Sequence, residues 1–373
     1  MLYYTFRLYP NKVQQLGLEY SLESCRQMYN HLLEKFKKGI LSSGELQREV
    51  VEIKKIKPEF NAIYSKVLQY ESYRLFSNLR SLKRLKKNGR KVGKLRFKGK
   101  DWFKTFSYNQ SGFKLFNVKG NKGILHLSKI GDIKIRLHRA VESKIKQVTL
   151  RNRLGKWYAI LIAGRKPVRV HGEKVLGIDL GINKYIVDSD AIITRHPHTF
   201  DKYAKKLALA QVNLSRKMRG SNNRLKAKLR VLTMHEKIKM CRSDFLHKIS
   251  AHYVAECKTI VVENLNVISL IRSSRNARNI MDSSWSRFLH MLSYKAESAG
   301  CELVKVNPKN TTKMCSKCGN IQEMPLWKRI YNCKTCGIVM DRDYNSAINI
   351  LHKYLGREPA LVRESPAALN MVR

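Results

Sequence analysis

Acidic residues are scarce in this chain. Against 74 lysines and arginines stand only 28 aspartates and glutamates, so the formal charge is +46 and the isoelectric point is near 10.2. Self-repulsion of that size is tolerable when a polyanion neutralises it, and nucleic acid is the usual one. Also missing is any uninterrupted apolar stretch long enough to span a bilayer, which argues against a membrane role. The segment Met1-Leu2-Tyr3-Tyr4-Thr5-Phe6-Arg7 lacks a charged leader, an apolar core region and a small-residue cleavage site. No secretion signal is therefore expected, and the protein is expected in the cytoplasm of a prokaryote, associated with the nucleoid. A ribosomal or histone-like protein that binds by charge alone is the plain alternative. The 373 residues, 43% of them hydrophobic, instead allow two or three real cores.

Cysteine is unevenly spread. Cys25, Cys241, Cys257 and Cys301 occur singly inside helical or strand patterns and are expected to be small buried apolar residues. The other four cluster: Cys315-x2-Cys318 and Cys333-x2-Cys336, fourteen residues apart, form two knuckles that can close one tetrahedral thiolate site. Gly319 and Gly337 directly follow the second cysteine of each pair, where a knuckle turn favours glycine. Two disulfides are the other reading, disfavoured in a reducing compartment. With four thiolates and no open position, the expected metal is a structural zinc.

Along the chain, residues 2–9 alternate as a strand that Pro10 ends. From 11 to 88 the pattern is helical, with Leu16, Leu22, Cys25, Met28, Tyr29, Leu32, Leu33 and Phe36 at helix spacing and an interruption at Pro58. Next comes the densest basic tract: Arg80, Lys83, Arg84, Lys86, Lys87, Arg90, Lys91, Lys94, Arg96, Lys98 and Lys100, with no acid among them. A charge run is ordinarily a solvated face. Here Leu82, Leu85, Leu95, Phe97 and Trp102 interleave with the cations, which better suits a surface that contacts a phosphate backbone and stacks a base.

The period then changes to two. Strands are expected at 103–108, 123–127, 133–137, 145–151 and 157–163, with Arg153-Leu154-Gly155 as a hairpin turn. Together with the first strand they form a candidate small antiparallel β-barrel into which the helical stretch 11–88 is inserted. Lys166-Pro167 marks a boundary. Beyond it strands are expected at 175–180, 184–188 and 192–194, then a long helical region over 201–256 broken at 220–223. Leu225, Leu229, Leu232, Ile238, Cys241, Phe245, Ile249 and Tyr253 make an apolar stripe, read as core. A buried strand at 259–263, a loop at 271–278, a helix at 284–299, a strand at 301–306 and a helix at 343–355 follow. That loop is either a cover over the neighbouring acid or a plain surface loop. After Gly356 the tail, 357–373, lacks periodicity and is expected to be disordered.

Three acids stand out. Asp179 lies in Gly177-Ile178-Asp179-Leu180-Gly181, Glu263 ends Thr259-Ile260-Val261-Val262-Glu263, and Asp343 opens a helical segment. A carboxylate at the edge of a buried strand costs desolvation energy unless a cation or partner satisfies it. Three from distant parts of a very basic chain suggest a site that holds divalent metal against phosphate. The order of elements, three strands, a helical excursion, a strand ending in an acid and a final helix led by an acid, is that of an RNase H-like two-metal site. The glycines beside Asp179 are expected to let the backbone and a phosphate approach closely. Asp343 and Asp341 also suit a helix cap, the plain reading of both.

At these residues the chain resembles the TnpB family, the insertion-sequence relatives of type V CRISPR effectors. The resemblance rests on Gly-Ile-Asp-Leu-Gly-Ile at 177–182, Arg-Ser-Asp-Phe-Leu-His-Lys at 242–248, Val-Glu-Asn-Leu-Asn at 262–266, Tyr-Lys-Ala-Glu-Ser-Ala-Gly at 294–300, Cys-Ser-Lys-Cys-Gly at 315–319 and Asp-Arg-Asp-Tyr-Asn-Ser-Ala-Ile-Asn-Ile at 341–350. Cys25-Arg26, Tyr29-Asn30 and Arg96-Phe97-Lys98 extend it over nearly the whole chain. It implies an RNA-guided DNA endonuclease with guide RNA and target double-stranded DNA as partners. Its fold would be α/β plus β-barrel: a RuvC nuclease domain at 172–311 and 337–356, a zinc ribbon at 312–336, a β-barrel wedge at 1–10 and 89–168, and a helical recognition lobe at 11–88. By the same resemblance Asp179, Glu263 and Asp343 would hold catalytic Mg²⁺ or Mn²⁺, the Asp-x-Asn-x-Ala pattern selecting Asp343 over Asp341, and Cys315, Cys318, Cys333 and Cys336 would hold zinc. Two departures are Thr312-Lys313-Met314, where the family often has Ser-Gln, and Asp190-Ala191, at a turn that often contains glycine. Two other function classes share these features: a guided repressor that binds without cutting, and a DDE-type transposase. Loss of an acid would mark the first, and the ribbon placed just before the last acid points away from the second.

Overall fold

In the computed structural model, which describes residues 2–39, 42–141, 143–164, 171–274, 276–325 and 327–356, period-two alternation becomes one antiparallel sheet. Its strands are β1 (Leu2–Tyr9), β2 (Thr105–Asn109), β3 (Phe113–Lys119), β4 (Lys122–Leu127), β5 (Gly131–Arg136), β6 (Ile145–Arg153) and β7 (Lys156–Ala163), in the order β2-β6-β7-β1-β5-β4-β3. Alternate residues face one core: Phe6 and Leu8, Ile133 and Ile135, Val148 and Leu150, Trp157 and Leu161 are all buried. The β6–β7 hairpin closes on Leu154 and Gly155, both at positive φ (52° and 73°), as a two-residue turn of the primed type requires. The sheet has seven strands rather than the six expected. The extra one, β3, is an edge strand whose side chains are mostly half-buried or exposed, so its sequence barely alternates.

Helices α1 (Lys12–Lys37), α2 (Ser43–Ile56) and α3 (Ser65–Lys87) pack on the same core. Asn11 accepts from the Gln14 N–H at 2.8 Å while Gln14 Oε1 accepts from the Asn11 N–H, and Ser42 with Glu45 repeats this capping box on α2. Pro58 opens a single 3₁₀ turn between α2 and α3. Leu22, Cys25, Met28, Tyr29, Leu32 and Leu33 are buried as their spacing predicts, whereas Leu16 is exposed near the start of α1.

These residues belong to the first of two compact units, Met1–Lys166, and the second runs from Pro167 to Arg373. The Lys166-Pro167 junction and the tail after Gly356 lie outside the described residues. The second unit holds a five-stranded sheet of β8 (Lys174–Leu180), β9 (Lys184–Asp188), β10 (Ile193–Arg195), β11 (Cys257–Glu263) and β12 (Glu302–Val306). The order is β10-β9-β8-β11-β12; β8, β9 and β10 are antiparallel neighbours, and β8, β11 and β12 run parallel. Ala191 sits at φ 64° in the β9–β10 turn, where Asp188 Oδ1 accepts from the N–H groups of Asp190 and Ile192 and holds the turn without glycine.

Helices α4 (Thr199–Ser215) and α5 (Asn222–Glu256) form a long hairpin. Only part of the expected α5 stripe is core: Ile238, Ile249 and Tyr253 are buried, but Leu225, Leu229, Leu232 and Cys241 are exposed. Over the first half of α5, α4 packs on the adjacent positions Val231 and Ile238 rather than on these leucines. Cys241 thus departs from the expected burial, whereas Cys25, Cys257 and Cys301 follow it.

The expected loop at 271–278 is instead the end of α6 (Val267–Ser273) and the start of α7 (Ala277–Ser283), with Arg275 outside the described residues. Helices of seven residues are too short for periodicity to register. Their signals are local: Asn266 caps α6 by accepting from the Ser269 N–H at 3.1 Å, and Ile280 anchors α7. Helix α8 (Trp285–Ala299) packs on the sheet, β13 (Ile330–Asn332) pairs with β14 (Val339–Asp341), and α9 (Arg342–Leu355) ends the described chain. No described helix is long and apolar enough to cross a membrane.

Candidate active site and four-cysteine cluster

Strands β8 and β11 are parallel neighbours inside the sheet with Val262 opposite Ile178, so Asp179 and Glu263 emerge side by side at the C-terminal ends of two central strands. Helix α9 lies directly across β8. A Cβ on Gly177 would sit 2.3 Å from the Ala347 carbonyl oxygen, so glycine there sets how closely helix and strand approach. That packing brings Asp343, one turn before Ala347, over the end of β8. Gly181 serves the β8–β9 turn, where a Cβ would meet the Lys184 carbonyl at 2.4 Å. Both glycines flanking Asp179 therefore admit the protein's own backbone, the close backbone approach that the sequence suggested.

Asp179 feels the charge of both other acids. Burial pushes the Asp179 carboxyl well above the usual carboxylate range, and the charges of Glu263 and Asp343 push it further, against the pull of Arg342. Glu263 is also raised by burial, countered by the Thr311 hydroxyl that donates to its Oε1 and by Lys353. Asp343, with its side chain 13% exposed, accepts from Arg342 Nε and Nη2 at 3.2 and 3.0 Å. Arg342 Nη1 also donates to the Lys328 carbonyl, and its own N–H to that of Arg329. The carboxylates are set wider than the 4.8 Å within which the four thiols gather. Asp341 acts differently. As N-cap of α9 it accepts from the N–H groups of Asp343 and Tyr344 at 3.0 and 3.2 Å and ion-pairs with Lys184.

Cys315, Cys318, Cys333 and Cys336 bring all four Sγ atoms within 4.8 Å of one another, and none is in a disulfide. Two sulfur–sulfur separations are 3.7 Å (Cys315 to Cys336) and 3.5 Å (Cys318 to Cys333). Tetrahedral zinc with bonds of about 2.3 Å places its sulfurs about 3.8 Å apart, so the cluster fits that ion. The knuckles match: the Gly319 N–H donates to the Cys315 carbonyl and the Gly337 N–H to the Cys333 carbonyl, with φ of 75° and 71° at the glycines.

Of the eleven basic-tract residues, Arg80, Lys83, Arg84, Lys86 and Lys87 lie on α3, and Arg90, Lys91, Lys94, Arg96, Lys98 and Lys100 on the irregular segment after it. All are exposed except Lys98, which is half-buried.

Sequence reading missed the residues that hold the acids and the cluster in place. Thr311 and Arg342 are two. Asn345 and Asn349 are others, buried on α9, where Asn345 donates to the Met314 carbonyl and accepts from the Ser316 N–H, and Asn349 donates to the Thr311 and Met314 carbonyls. Their available signal was two asparagines four apart on one face of a helix that also carries Ala347, Ile348 and Ile350, since buried amides need partners.

This architecture is shared with a solved effector chain. The chain superposes on Cas12f1, solved in complex with sgRNA and target DNA, with a TM-score of 0.58 over 91% of this chain and 83% of that one, at 16% identity. Three family models match: a Cas12f1-like TNB domain at 285–350, the probable transposase family OrfB of IS605 at 159–274, and a helix-turn-helix domain at 1–42. A putative RNA-guided DNA endonuclease, InsQ of Escherichia coli K12, is 30% identical over 93% of this chain and 91% of its own length. A putative RNA-guided DNA endonuclease of Streptomyces pristinaespiralis is 35% identical over 65% of this chain, which spans 61% of that relative. The chain belongs to the TnpB family.

Proposed function

We propose that this protein is an RNA-guided DNA endonuclease of an insertion element, cutting target DNA beside a short flanking motif by metal-dependent phosphodiester hydrolysis. The observation that carries this reading is the approach of Asp179, Glu263 and Asp343 at the C-terminal ends of two central strands, in a chain of net charge +46. The names of the InsQ and Streptomyces relatives point the same way. Acids on the first and fourth strands of the sheet and on the final helix support an RNase H-like RuvC domain over 172–311 and 337–356, with a zinc ribbon at 312–336. The seven-stranded sheet, with one face buried except at its β3 edge, supports a wedge barrel from 1–10 and 89–168 around a recognition lobe at 11–88.

Three carboxylates, with no thiolate or imidazole among them, suit a hard cation such as magnesium or manganese. The raised Asp179 carboxyl is a buried acid short of the positive charge such a cation brings. When bound, the metal supplies water activation and charge neutralisation at the leaving oxygen. The chain does the rest. Asp179 and Glu263 present oxygens from a rigid parallel pair, the Thr311 hydroxyl fixes the Glu263 carboxylate, and Arg342 orients Asp343 while tying it to the cysteine-bearing segment. The basic tract holds phosphates, and base pairing with a bound RNA supplies sequence choice.

The test is to load purified protein with its copurifying RNA, add magnesium, and offer labelled target with and without the flanking motif. Cutting that moves when the guide is changed, and that needs the motif, is the expected result. Cutting at one fixed sequence without RNA, joining of DNA ends, or protection without cleavage would each overturn it.

A further inference from the structure

We infer that the segment after α3 carries a stacking platform for unpaired RNA bases, built on Phe97 and Trp102 and held open by Asn30. The inference rests on the guide-RNA reading above. In this segment the main chain has neither helix nor strand to satisfy it, and α1 does so instead. Asn30 Oδ1 accepts from the Lys98 N–H at 2.7 Å, its Nδ2 donates to the Lys98 carbonyl at 2.9 Å, and Arg26 Nη1 donates to the same carbonyl at 2.8 Å. One amide side chain thus replaces a sheet partner and fixes the backbone between two large rings. Phe97 and Trp102 remain 52% and 70% exposed on this anchored segment, so their rings are open to a ligand.

Each ring has a cation beside it. Lys37 Nζ lies 4.2 Å from the Phe97 ring centre and Lys98 Nζ 5.3 Å from that of Trp102. Aromatic faces paired with lysines, in a tract of eleven cations without an acid, match the two requirements of single-strand binding, a stacking surface and phosphate neutralisation. Duplex DNA keeps its bases stacked internally. RNA offers unpaired loops and ends whose bases are free to splay onto such rings, so single-stranded RNA is the occupant.

The test measures binding of the full chain, freed of nucleic acid, to a labelled unstructured RNA, to a single-stranded DNA and to a fully paired RNA of equal length, across salt concentration. Phe97→Ala and Trp102→Ala should each weaken single-strand binding by roughly tenfold, leave duplex binding unchanged and leave the salt slope unchanged, because stacking carries no counterions. Trp102→Phe should recover most of the loss, and Asn30→Ala should reproduce it without removing a ring. Melting curves on the same variants separate these effects from unfolding. Wild-type binding to single strands with unaltered binding by the ring variants would sink the platform alone, whereas failure of the wild type to bind any RNA would sink the guide reading with it. Equal losses on single strand and duplex with a shallower salt slope would reassign the tract to phosphate contact. A loss confined to single-stranded DNA would reassign the occupant.

Discussion

Asp341 and Asp343 lie two residues apart at the start of one helix, and replacing each with alanine should separate stability from chemistry. Asp341 caps α9 through two backbone N–H groups and ion-pairs with Lys184, both side chains being about one-third exposed. Loss of the cap costs about 1 kcal/mol. The half-exposed ion pair adds at most about 1 kcal/mol. At roughly 2–4 °C per kcal/mol for a unit of this size, Asp341→Ala should lower Tm by roughly 2–8 °C. Guided cutting at 25 °C should survive within a few-fold, because no Asp341 contact reaches Asp179 or Glu263. Asp343→Ala removes a carboxylate that repels Asp179 but also one that pairs with Arg342, and the two effects oppose each other. Its Tm should therefore shift less than that of Asp341→Ala, while cutting falls below detection. DNA binding should persist, since removing negative charge near phosphate does not weaken association. The assays are thermal unfolding and single-turnover cleavage of labelled target by RNA-loaded protein. Normal cutting by Asp343→Ala together with loss in Asp341→Ala would refute the assignment.

Asp179 is favoured in its protonated form by the fold, since its folded pKa lies above the reference value of 3.8. Its contribution to stability is therefore full below about pH 4 and is lost as pH rises through the shifted pKa. In magnesium-free buffer Asp179→Asn should melt higher than wild type at neutral pH but not at pH 4, and magnesium should raise the wild-type Tm alone; identical melting curves would count against a metal site there. Freshly purified protein should contain one zinc per chain by elemental analysis, and Cys315→Ser should release it, because a four-thiolate site does not close on three. Gly177→Ala should cost about 1–3 kcal/mol by forcing α9 off β8, with a fall in both Tm and cutting, and an unchanged Tm would contradict the close approach of Ala347 to that strand.

What the sequence determined by itself was chemistry that resides in residue type and short spacing. The two Cys-x2-Cys pairs, the acids at the ends of apolar runs and the cation-rich tract were all legible because each is local. Buried strands were legible for the same reason, since alternation at β4 to β7 reports one wet and one dry face. Tertiary structure decided what depends on a neighbour. Leu225, Leu229 and Leu232 carry the pattern of a core, yet stay exposed because α4 packs on the neighbouring face that holds Val231 and Ile238. The weakly patterned loop at 271–278 became parts of two short helices because a cap and one buried isoleucine sufficed. Gly177 and Gly181 read as room for close approach, and only the fold shows which backbone comes near: the Ala347 and Lys184 carbonyls. The split between Asp341 as cap and Asp343 as neighbour of Asp179 also has a tertiary reason. Both residues suit a helix start, and the resemblance selected Asp343; the packing of α9 across β8 is what brings that carboxylate to Asp179 while Asp341 caps the helix.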